Sequence, residues 1–381
     1  MPLKNILILF PLEHIAFSPT TLGIYDALSV HANVTIVCPK TNAFKVDNIG
    51  NRHIEYFNLN TGKQRKIKAL PLFFLAKCKK KLSGSNHFNH LKIYDFVRYL
   101  EYKKAIKKIS LTKYDEIISV DILMLAIVTG LQKKSCFLSL ELNDNEIPIL
   151  KSINPSLIKA VVIQTQNRYN HIFGNQKHVT FFIQNAPVYE ELAPSKKINN
   201  SIIFNGTATP WFGLYHALNF VKKYPDYSIT FKGAISNTDS DDIQLNYTSL
   251  VNNKKINFNK KYVESSDMLA FMAQYEIGFC FYDLSYPNMN TYNYRSAPSG
   301  KMFAYLASGV PTVANNLEGL KIIEDFEAGI LINDFKPETI FDAINKIKTN
   351  YDFYKQNCKK AAKHYSFDNA VKSFTNFLIN A

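Results

Sequence analysis

The feature that most constrains the fold of this sequence is a repeated alternation of short apolar runs with longer stretches of helical pattern. Such alternation predicts parallel strands joined by helical crossovers, so that helices cover both faces of each sheet. The predicted strands are Ile6–Phe10, Val34–Cys38, His53–Asn58, Glu116–Val120, Cys136–Leu140, Ala160–Gln164, Val179–Ile183, Ser201–Asn205, Ser228–Lys232, Ile256–Phe258, Ile277–Phe281, Thr312–Ala314 and Gly329–Ile332. The predicted helices are Thr21–His31, Phe88–Ile109, Ile122–Leu131, Gly213–Lys223, Ser265–Gln274, Gly300–Ser308 and Pro337–Asn350.

A polar segment divides this alternation into two series. The segment "NAPVYEELAPSKKINNS" (185–201) contains two prolines, and the 381 residues with 46% hydrophobic content are enough for two cores. We therefore predict an α/β protein with a first domain at 1–187 and a second at 188–365. In doubly wound sheets, ligands bind beyond the carboxyl ends of the strands, so a cleft between the domains is the expected site.

The five cysteines lie far apart and form no CxxC or Cys/His cluster, which argues against a zinc site and a disulfide framework and fits reduced cytosol. The apolar start "NILILFPL" is expected to be the first strand rather than a signal peptide. The run "IISVDILMLAIVTGL" is interrupted by Asp121, so no membrane span is expected. The predicted location is cytoplasmic, with peripheral attachment to the inner face of the plasma membrane left open.

The segment 63–108 carries fourteen Lys and Arg against two acidic residues, within a chain of net charge +14. Three interpretations compete: a solvated lysine-rich face, attraction to an anionic membrane surface, and nucleic-acid binding. No groove-reading or base-stacking module accompanies the charges, so nucleic acid is not expected as a partner. The first two interpretations stay open.

Phosphate-binding motifs of the commonest kinds are absent. The loop after the first strand reads "FPLEHIAFSPTTLG", without GxGxxG, and no GxxxxGK[ST] occurs. Instead, "IIFNGTATPWFG" and "ITFKGA" place glycines just past two strands, and "APSGKMFAYLASGVPT" opens a helix behind small residues, where unpaired amides favour an anion. The predicted diphosphate-binding residues are Gly206, Thr207, Lys232, Gly233, Arg295, Ser299, Gly300 and Lys301.

The run from 297 to 332, "APSGKMFAYLASGVPTVANNLEGLKIIEDFEAGILI", resembles the signature region of GT-B glycosyltransferases, especially nucleotide-sugar-dependent family four. Matching marks occur in order at "FFIQNAP", "IIFNGT", "YEIGFCFY" and "AAKHYSFDNAVKSFTNFL". The resemblance implies two Rossmann-like domains facing across a cleft, with a C-terminal helix at 366–381 that crosses back to the first domain. It also implies a nucleoside diphosphate sugar as the donor substrate and no other cofactor.

Two departures from the family pattern concern the donor site. The family has two glutamates separated by seven residues, but Ser296 and Ala304 occupy those positions here. The family's lysine-glycine pair after the first donor-domain strand is also missing, which leaves Arg295 and Lys301 as the cations. Glu318, followed by Gly319, is the nearest acid that could bind ribose or sugar hydroxyls.

Glycosyl transfer needs charge relief on the departing phosphate and removal of a proton from the acceptor. The family resemblance implies a retaining reaction in which the leaving phosphate takes that proton, whereas an inverting reaction would use a first-domain side chain. The candidates at strand ends are Glu13, His14, Asp121 and Glu141, although Asp121 could equally cap the following helix. No Asp-x-Asp motif is present, and we predict no metal.

The leading hypothesis is a bacterial glycosyltransferase that extends a lipid-linked or cell-surface glycan, as in polysaccharide, lipopolysaccharide or capsule synthesis. A sugar-nucleotide 2-epimerase of the same architecture is the alternative enzyme. An inactive member that only binds glycan or a partner protein is the third hypothesis, because both family glutamates are missing.

Overall fold

The computed structural model describes residues 3–40, 49–59, 90–142, 146–151, 153–259, 263, 265–287, 289 and 291–380, without the side chains of 90–95, 265 and 266. Residues 63–89 of the basic segment, including the Lys77–Lys81 cluster, lie outside this description. Contacts divide the chain into unit 1 (Met1–Ile163, Ile172–Phe181 and Lys372–Ala381) and unit 2 (Gln164–His171 and Phe182–Val371). The predicted domain limits at residues 187 and 365 remain a prediction, since these two units are defined by contacts and not by those limits.

Unit 1 is built on a seven-stranded sheet in the order β3-β2-β1-β4-β5-β6-β7. Each neighbouring pair in this order from β3 through β6 is parallel. Its strands are β1 (Asn5–Leu9), β2 (Asn33–Pro39), β3 (Ile54–Phe57), β4 (Glu116–Val120), β5 (Ser135–Leu138), β6 (Ile158–Ile163) and β7 (Thr180–Phe182). The helices in this part of the chain are α1 (Pro19–Ser29), α2 (His90–Ile106), α3 (Asp121–Thr129), α4 (Ile147–Lys151) and α5 (Gln166–Phe173). The strand order reverses between β1 and β4, which is where such a sheet binds ligands.

Unit 2 is built on a six-stranded parallel sheet in the order β10-β9-β8-β11-β12-β13, which reverses between β8 and β11. Its strands are β8 (Ser201–Asn205), β9 (Ser228–Lys232), β10 (Ile256–Asn259), β11 (Ile277–Cys280), β12 (Thr312–Asn315) and β13 (Gly329–Ile332). The helices that follow α5 are α6 (Leu214–Lys223), α7 (Asn237–Asn246), α8 (Thr248–Asn252), α9 (Ser265–Met272), α10 (Tyr292–Ser296), α11 (Gly300–Ala307), α12 (Ile322–Asp325), α13 (Pro337–Thr349), α14 (Tyr351–His364) and α15 (Phe367–Asn380).

The C-terminal helix α15 ends in unit 1, as the sequence predicts, because the residues from Lys372 onward group with that unit. Phe181 packs against the rings of Phe374 and Phe377 at 5.4 and 5.3 Å between centroids. Lys4 Nζ donates a hydrogen bond of 3.0 Å to the Leu378 carbonyl oxygen. No helix in the described ranges is long and apolar enough to cross a lipid bilayer.

All thirteen predicted strands are present, with ends within two residues of the prediction, because most of them are apolar runs buried within their sheet. The edge strands β3 and β7 are only partly buried. Seven helices were not predicted, namely α4, α5, α7, α8, α10, α12 and α14, of which four span five residues or fewer. Helix α14 does carry an apolar stripe, since it buries Tyr354, Cys358, Ala361 and Ala362 along one face. Helix α7, by contrast, reads "NTDSDDIQLN" and buries only Ile243, so its sequence lacks the periodicity from which a helix is recognised.

Candidate functional site

The carboxyl edge of the unit 2 sheet is formed at β8 and β9 by two glycines in backbone conformations that other residues rarely adopt. Gly206 has a φ of +98° and Gly233 a φ of +150°. A Cβ atom on Gly233 would lie 2.3 Å from the Gly206 carbonyl oxygen, closer than any real side chain can approach. Glycine is therefore required where the backbones approach closely just past the ends of these two parallel strands.

Lys301 lies in the first turn of α11 and extends across Gly206. A Cβ atom on Gly206 would lie only 2.9 Å from Lys301 Cε, so the missing side chain leaves room for the lysine stem. The Lys301 ammonium faces three aromatic rings, at 4.0 Å from the Phe212 centroid, 5.1 Å from Phe204 and 5.5 Å from Tyr282. The three rings form an aromatic cage around the Lys301 ammonium. This cage lies at the strand-order reversal between β8 and β11.

The Lys301 ammonium is buried, and no hydrogen-bond acceptor for it occurs among the described residues. Aromatic faces attract a cation but do not replace the hydrogen bonds that water provides. Burial accordingly lowers the pKa of Lys301 from 10.5 to about 8, with Cys280 acting weakly in the opposite direction. A buried ammonium with no hydrogen-bond partner in the described part of the chain is a site at which an anionic ligand would gain an unusually strong partner.

Lys301 belongs to the amino end of α11, where a helix has unpaired backbone donors. The N-cap residue Ser299 makes no capping bond from its side chain, and its hydroxyl instead accepts a 2.7 Å hydrogen bond from the Tyr282 hydroxyl. The first amides of a helix have no acceptor within the helix, and the helix dipole is positive at this end. The lysine and the helix end can together hold an anion such as a phosphate.

The remaining predicted donor residues lie on other elements of unit 2. Lys232 is buried at the end of β9, with its Nζ 6.0 Å from the Phe271 ring centroid, and Thr207 is exposed one residue beyond Gly206. Arg295 is exposed on α10, and the exposed Glu318 accepts a 3.3 Å hydrogen bond from the Tyr292 hydroxyl.

Two further predicted glycines lie where an added side chain would collide with a neighbouring residue. A Cβ atom on Gly300 would lie 2.8 Å from Asn185 Nδ2, and one on Gly319 would lie 2.3 Å from the Ala297 carbonyl oxygen. Gly300 begins α11, and Gly319 lies in the short 3-10 helix Glu318–Leu320.

One expectation about this edge is corrected by the structure. The Gly206 amide, which we expected to face a phosphate, donates a 2.8 Å hydrogen bond to the Lys232 carbonyl oxygen. The β8–β9 pairing continues past the last residue of β8, since the Ala208 amide likewise bonds to the Ala234 carbonyl oxygen at 2.8 Å. The Gly206 amide is therefore not available to an anion.

The sequence analysis did not identify the buried arginine that meets one of the positions where the family carries glutamate. Arg168 of α5 is fully buried and donates to Ser296 Oγ at 3.3 Å and to Asn293 Oδ1 at 3.0 Å. Nothing in the local sequence "TQNRYN" distinguishes this arginine from a surface residue. Ser296 is thus a partner of Arg168 within unit 2.

Unit 1 presents a buried carboxylate at its own carboxyl edge. Asp121, at the start of α3, has a φ of +58°, and its Oδ1 accepts hydrogen bonds from the amides of Leu140 at 2.9 Å and Glu141 at 3.0 Å. Burial raises the pKa of Asp121 to about 7, and the charges of Glu141 and Glu146 act in the same direction, while the two amides lower it. A strained backbone and a pKa near neutrality commonly mark a functional carboxylate.

The alternative role of Asp121 as a helix cap is wrong. The N-cap position of α3 is Val120, and no side-chain bond caps this helix. The Asp121 carboxylate instead fixes the segment that follows β5, which carries the exposed Glu141. The structure thus brings Asp121 and Glu141 together. The exposed Glu13 and half-buried His14 reach the same edge after the neighbouring strand β1.

No group of three or more His, Cys, Asp or Glu side chains that could hold a metal ion occurs in the part of the chain that the structure describes. The metal-independent reaction expected from the sequence stays a prediction.

No protein-family model matches the sequence, and no curated protein matches it. Solved structures do match over nearly the whole chain. The HepE protein of Anabaena in complex with UDP and glucose has a TM-score of 0.64 at 12% identity, covering 99% of this chain and 100% of that one. A UDP-forming α,α-trehalose-phosphate synthase of Burkholderia vietnamiensis has a TM-score of 0.59 at 13% sequence identity, and the match covers 99% of each chain. The trehalose-6-phosphate phosphatase N-terminal domain of Candida albicans has a TM-score of 0.62 at 11% sequence identity, and the match covers 100% of this chain and 98% of that one.

At these identities the likeness shows the fold alone. The chain has the GT-B fold, with two parallel-sheet α/β units and C-terminal helices, as the sequence predicts. The resemblance to family four has no support from a sequence match.

Replacing Gly233 with alanine is expected to destabilise unit 2 by about 3 kcal/mol, because the new Cβ would meet a backbone oxygen in a strained conformation. Gly174→Ala is the matched control, since Gly174 also has a positive φ, of +57°, but has no atom within 4 Å of the added Cβ. The control is expected to cost about 1 to 2 kcal/mol. Urea unfolding measures both, and equal losses would contradict the close approach of the backbones at Gly206 and Gly233.

Proposed function

We propose that the protein is a glycosyltransferase that moves a sugar from a nucleoside diphosphate sugar to a hydroxyl of a lipid-linked or cell-surface glycan. The observation that carries the proposal is the buried Lys301 ammonium without a hydrogen-bond partner among the described residues, at the strand-order reversal of the unit 2 sheet. The GT-B fold supports it, and so do solved neighbours whose descriptions include UDP with glucose and a UDP-forming synthase.

In this proposal Lys301 and the amino end of α11 hold the diphosphate of the donor. The bond between the sugar's anomeric carbon and the phosphate oxygen breaks, and the nucleoside diphosphate leaves with the bonding electron pair. The ammonium and the helix end stabilise the negative charge that develops on that oxygen, which is the largest contribution in many enzymes of group transfer. The acceptor oxygen forms the new bond to the anomeric carbon.

The proton of the acceptor hydroxyl has two alternative destinations in this scheme. A retaining reaction, which the resemblance to family four implies, passes it to the leaving phosphate. An inverting reaction passes it to Asp121, whose pKa of about 7 suits a general base near neutral pH. Asp121 also holds the amide of Glu141, so both carboxylates belong to the proposed acceptor site of unit 1.

The donor's ribose must be held differently from the family pattern. Ser296 is bonded to Arg168, and Ala304 has no polar group. We assign the ribose or sugar hydroxyls to Glu318, an exposed carboxylate that already accepts a hydrogen bond from Tyr292. Arg295, exposed on α10, is assigned to the outer face of the diphosphate.

Incubation with UDP-, GDP- and CMP-sugars, with and without bacterial glycolipid extract, tests the proposal. We expect release of the nucleotide and transfer of the sugar from one donor class, and UDP-sugars are the first choice because UDP occurs in the descriptions of the solved neighbours. Conversion of the donor to its C2 epimer without transfer would instead identify an epimerase. Glycan binding without any turnover would identify an inactive binding protein, and either result would overturn the proposal.

A further inference from the structure

Helix α2 of unit 1 exposes two large apolar side chains on the same face as a row of lysines. Phe96 is 51% exposed and Leu100 is 45% exposed, one helical turn apart. Lys104 and Lys107, also exposed, continue that stripe by one and two further turns. The opposite side of the helix is the one that packs into the core, through Tyr102 and Ile106. We call Phe96, Leu100, Lys103, Lys104 and Lys107 the α2 face.

The charge on and around the α2 face has one sign. Residues 96–110 contain five cations, and Glu101 is the one acid among them. Lys103 Nζ lies 5.6 Å from the centroid of the Tyr99 ring, so this lysine borders the apolar part of the face. Exposed apolar residues surrounded by lysines suit the boundary between lipid headgroups and acyl chains, where both kinds of side chain are satisfied.

A cavity of about 320 Å³ lies beside the α2 face and is lined by Tyr99 of α2, Ala126 of α3, Ile149 of α4, and Ile153 and Leu157 beyond α4, among others. Ile149 is 39% exposed. Tyr99 joins the two features, because it lines the cavity and lies one turn before Lys103 on α2. The lining also includes Thr129, Gln132 and Asn154, so this cavity borders the α2 face without extending its apolar surface.

We propose that the α2 face is a docking surface for an anionic lipid bilayer. Phe96 and Leu100 insert at the headgroup level, and Lys103, Lys104 and Lys107 contact lipid phosphates. Charge complementarity favours this occupant, since the face is cationic and an inner membrane leaflet rich in acidic lipids is anionic. A nucleic acid would use the lysines but would leave the two apolar side chains without a role. The proposal does not depend on glycosyl transfer.

Sedimentation of the full-length protein with phosphatidylcholine vesicles containing phosphatidylglycerol tests the proposal. The triple variant Lys103→Gln, Lys104→Gln, Lys107→Gln is expected to bind about 100-fold more weakly, from the usual contribution of each lysine at such a surface. Phe96→Ser with Leu100→Ser is expected to lose the binding that persists at high salt. Vesicles of phosphatidylcholine alone are expected to bind neither variant nor wild type.

Matched controls come from exposed positions in unit 2. Phe353→Ser replaces an aromatic ring that is 48% exposed, and Lys346→Gln with Lys363→Gln removes exposed charges from other helices. Both controls are expected to sediment like wild type. Thermal unfolding verifies that every variant is folded, and UDP binding is expected to be unchanged in all of them, which separates this test from that of the proposed function.

Three results would overturn the proposal. The first is sedimentation of both α2-face variants at the wild-type level. This result would overturn the proposal even if substitution of the Lys77–Lys81 cluster abolished sedimentation, because the binding surface would then lie in that cluster. The second is an equal loss in the control variants, which would indicate a response to net charge alone. The third is tighter binding to a DNA or RNA oligonucleotide than to anionic vesicles.

Discussion

Replacing Lys301 with methionine is expected to weaken UDP binding and to lower kcat/KM with a nucleotide sugar by about 100- to 1000-fold, the usual loss when one fixed charge-stabilising donor is removed. Methionine has a similar length and suits the cage formed by Phe204, Phe212 and Tyr282. Because the substitution removes a buried charge that has no hydrogen-bond partner among the described residues, the variant is expected to be at least as stable as wild type at pH 7. Calorimetric titration with UDP and a nucleotide-release assay measure the loss.

The pH dependence of UDP affinity gives this prediction a second measurement. Folding lowers the pKa of Lys301 to about 8, so the ammonium that attracts the diphosphate is lost as the pH rises above that value. Wild-type affinity is expected to fall between pH 7 and pH 9, whereas that of Lys301→Met is expected to stay low and nearly constant. Equal UDP affinity of variant and wild type at pH 7 would remove the proposed donor site.

The architecture could be predicted from sequence because parallel strands are buried on both faces and are written as continuous apolar runs. Runs such as "SIIFN" and "SITFK" gave the bounds of β8 and β9 without error. The reversal of strand order follows only from the pairing of β8 with β11, which lie more than seventy residues apart in the chain. The sequence predicted two doubly wound domains but not the register of their strands.

The candidate site was predictable in part, since glycine after a strand often indicates an unusual backbone conformation, as at Gly206 and Gly233. The aromatic cage was not predictable, because Phe204, Phe212 and Tyr282 come from three separate segments and each alone resembles a core residue. The expected role of the Gly206 amide was wrong for a similar reason, as the length of the β8–β9 pairing is a property of two segments.

Asp121 illustrates the same limit in unit 1. A local view of the sequence allows an acid at the start of a helix to cap that helix. The carboxylate instead accepts hydrogen bonds from amides nineteen and twenty residues later, at Leu140 and Glu141. Contacts across neighbouring strands β4 and β5 therefore decide its role, and its burial and raised pKa follow from them.

Asp121→Asn is expected to produce a protein that is more stable than wild type at pH 8 and much less active. The amide oxygen of asparagine can accept the same two hydrogen bonds, and asparagine tolerates a φ of +58°. Folding raises the pKa of Asp121 from 3.8 to about 7, so the folded wild type binds more protons than the unfolded chain between these values. Its stability therefore falls as the pH rises from 4 to 7, by at most about 4 kcal/mol.

The Asp121→Asn variant has no such dependence, so urea unfolding is expected to show a gain over wild type that is much larger at pH 8 than at pH 5. If Asp121 accepts the acceptor proton, kcat is expected to fall by about 100- to 10,000-fold, while UDP affinity is unchanged because the donor is assigned to unit 2. Glu141→Gln tests the second carboxylate of the proposed acceptor site, since Glu141 is exposed and its replacement leaves the Asp121 carboxylate in place. An active Asp121→Asn variant with the stability gain would make Asp121 a structural anchor of the Glu141 segment, and the acceptor proton would then pass to the leaving phosphate.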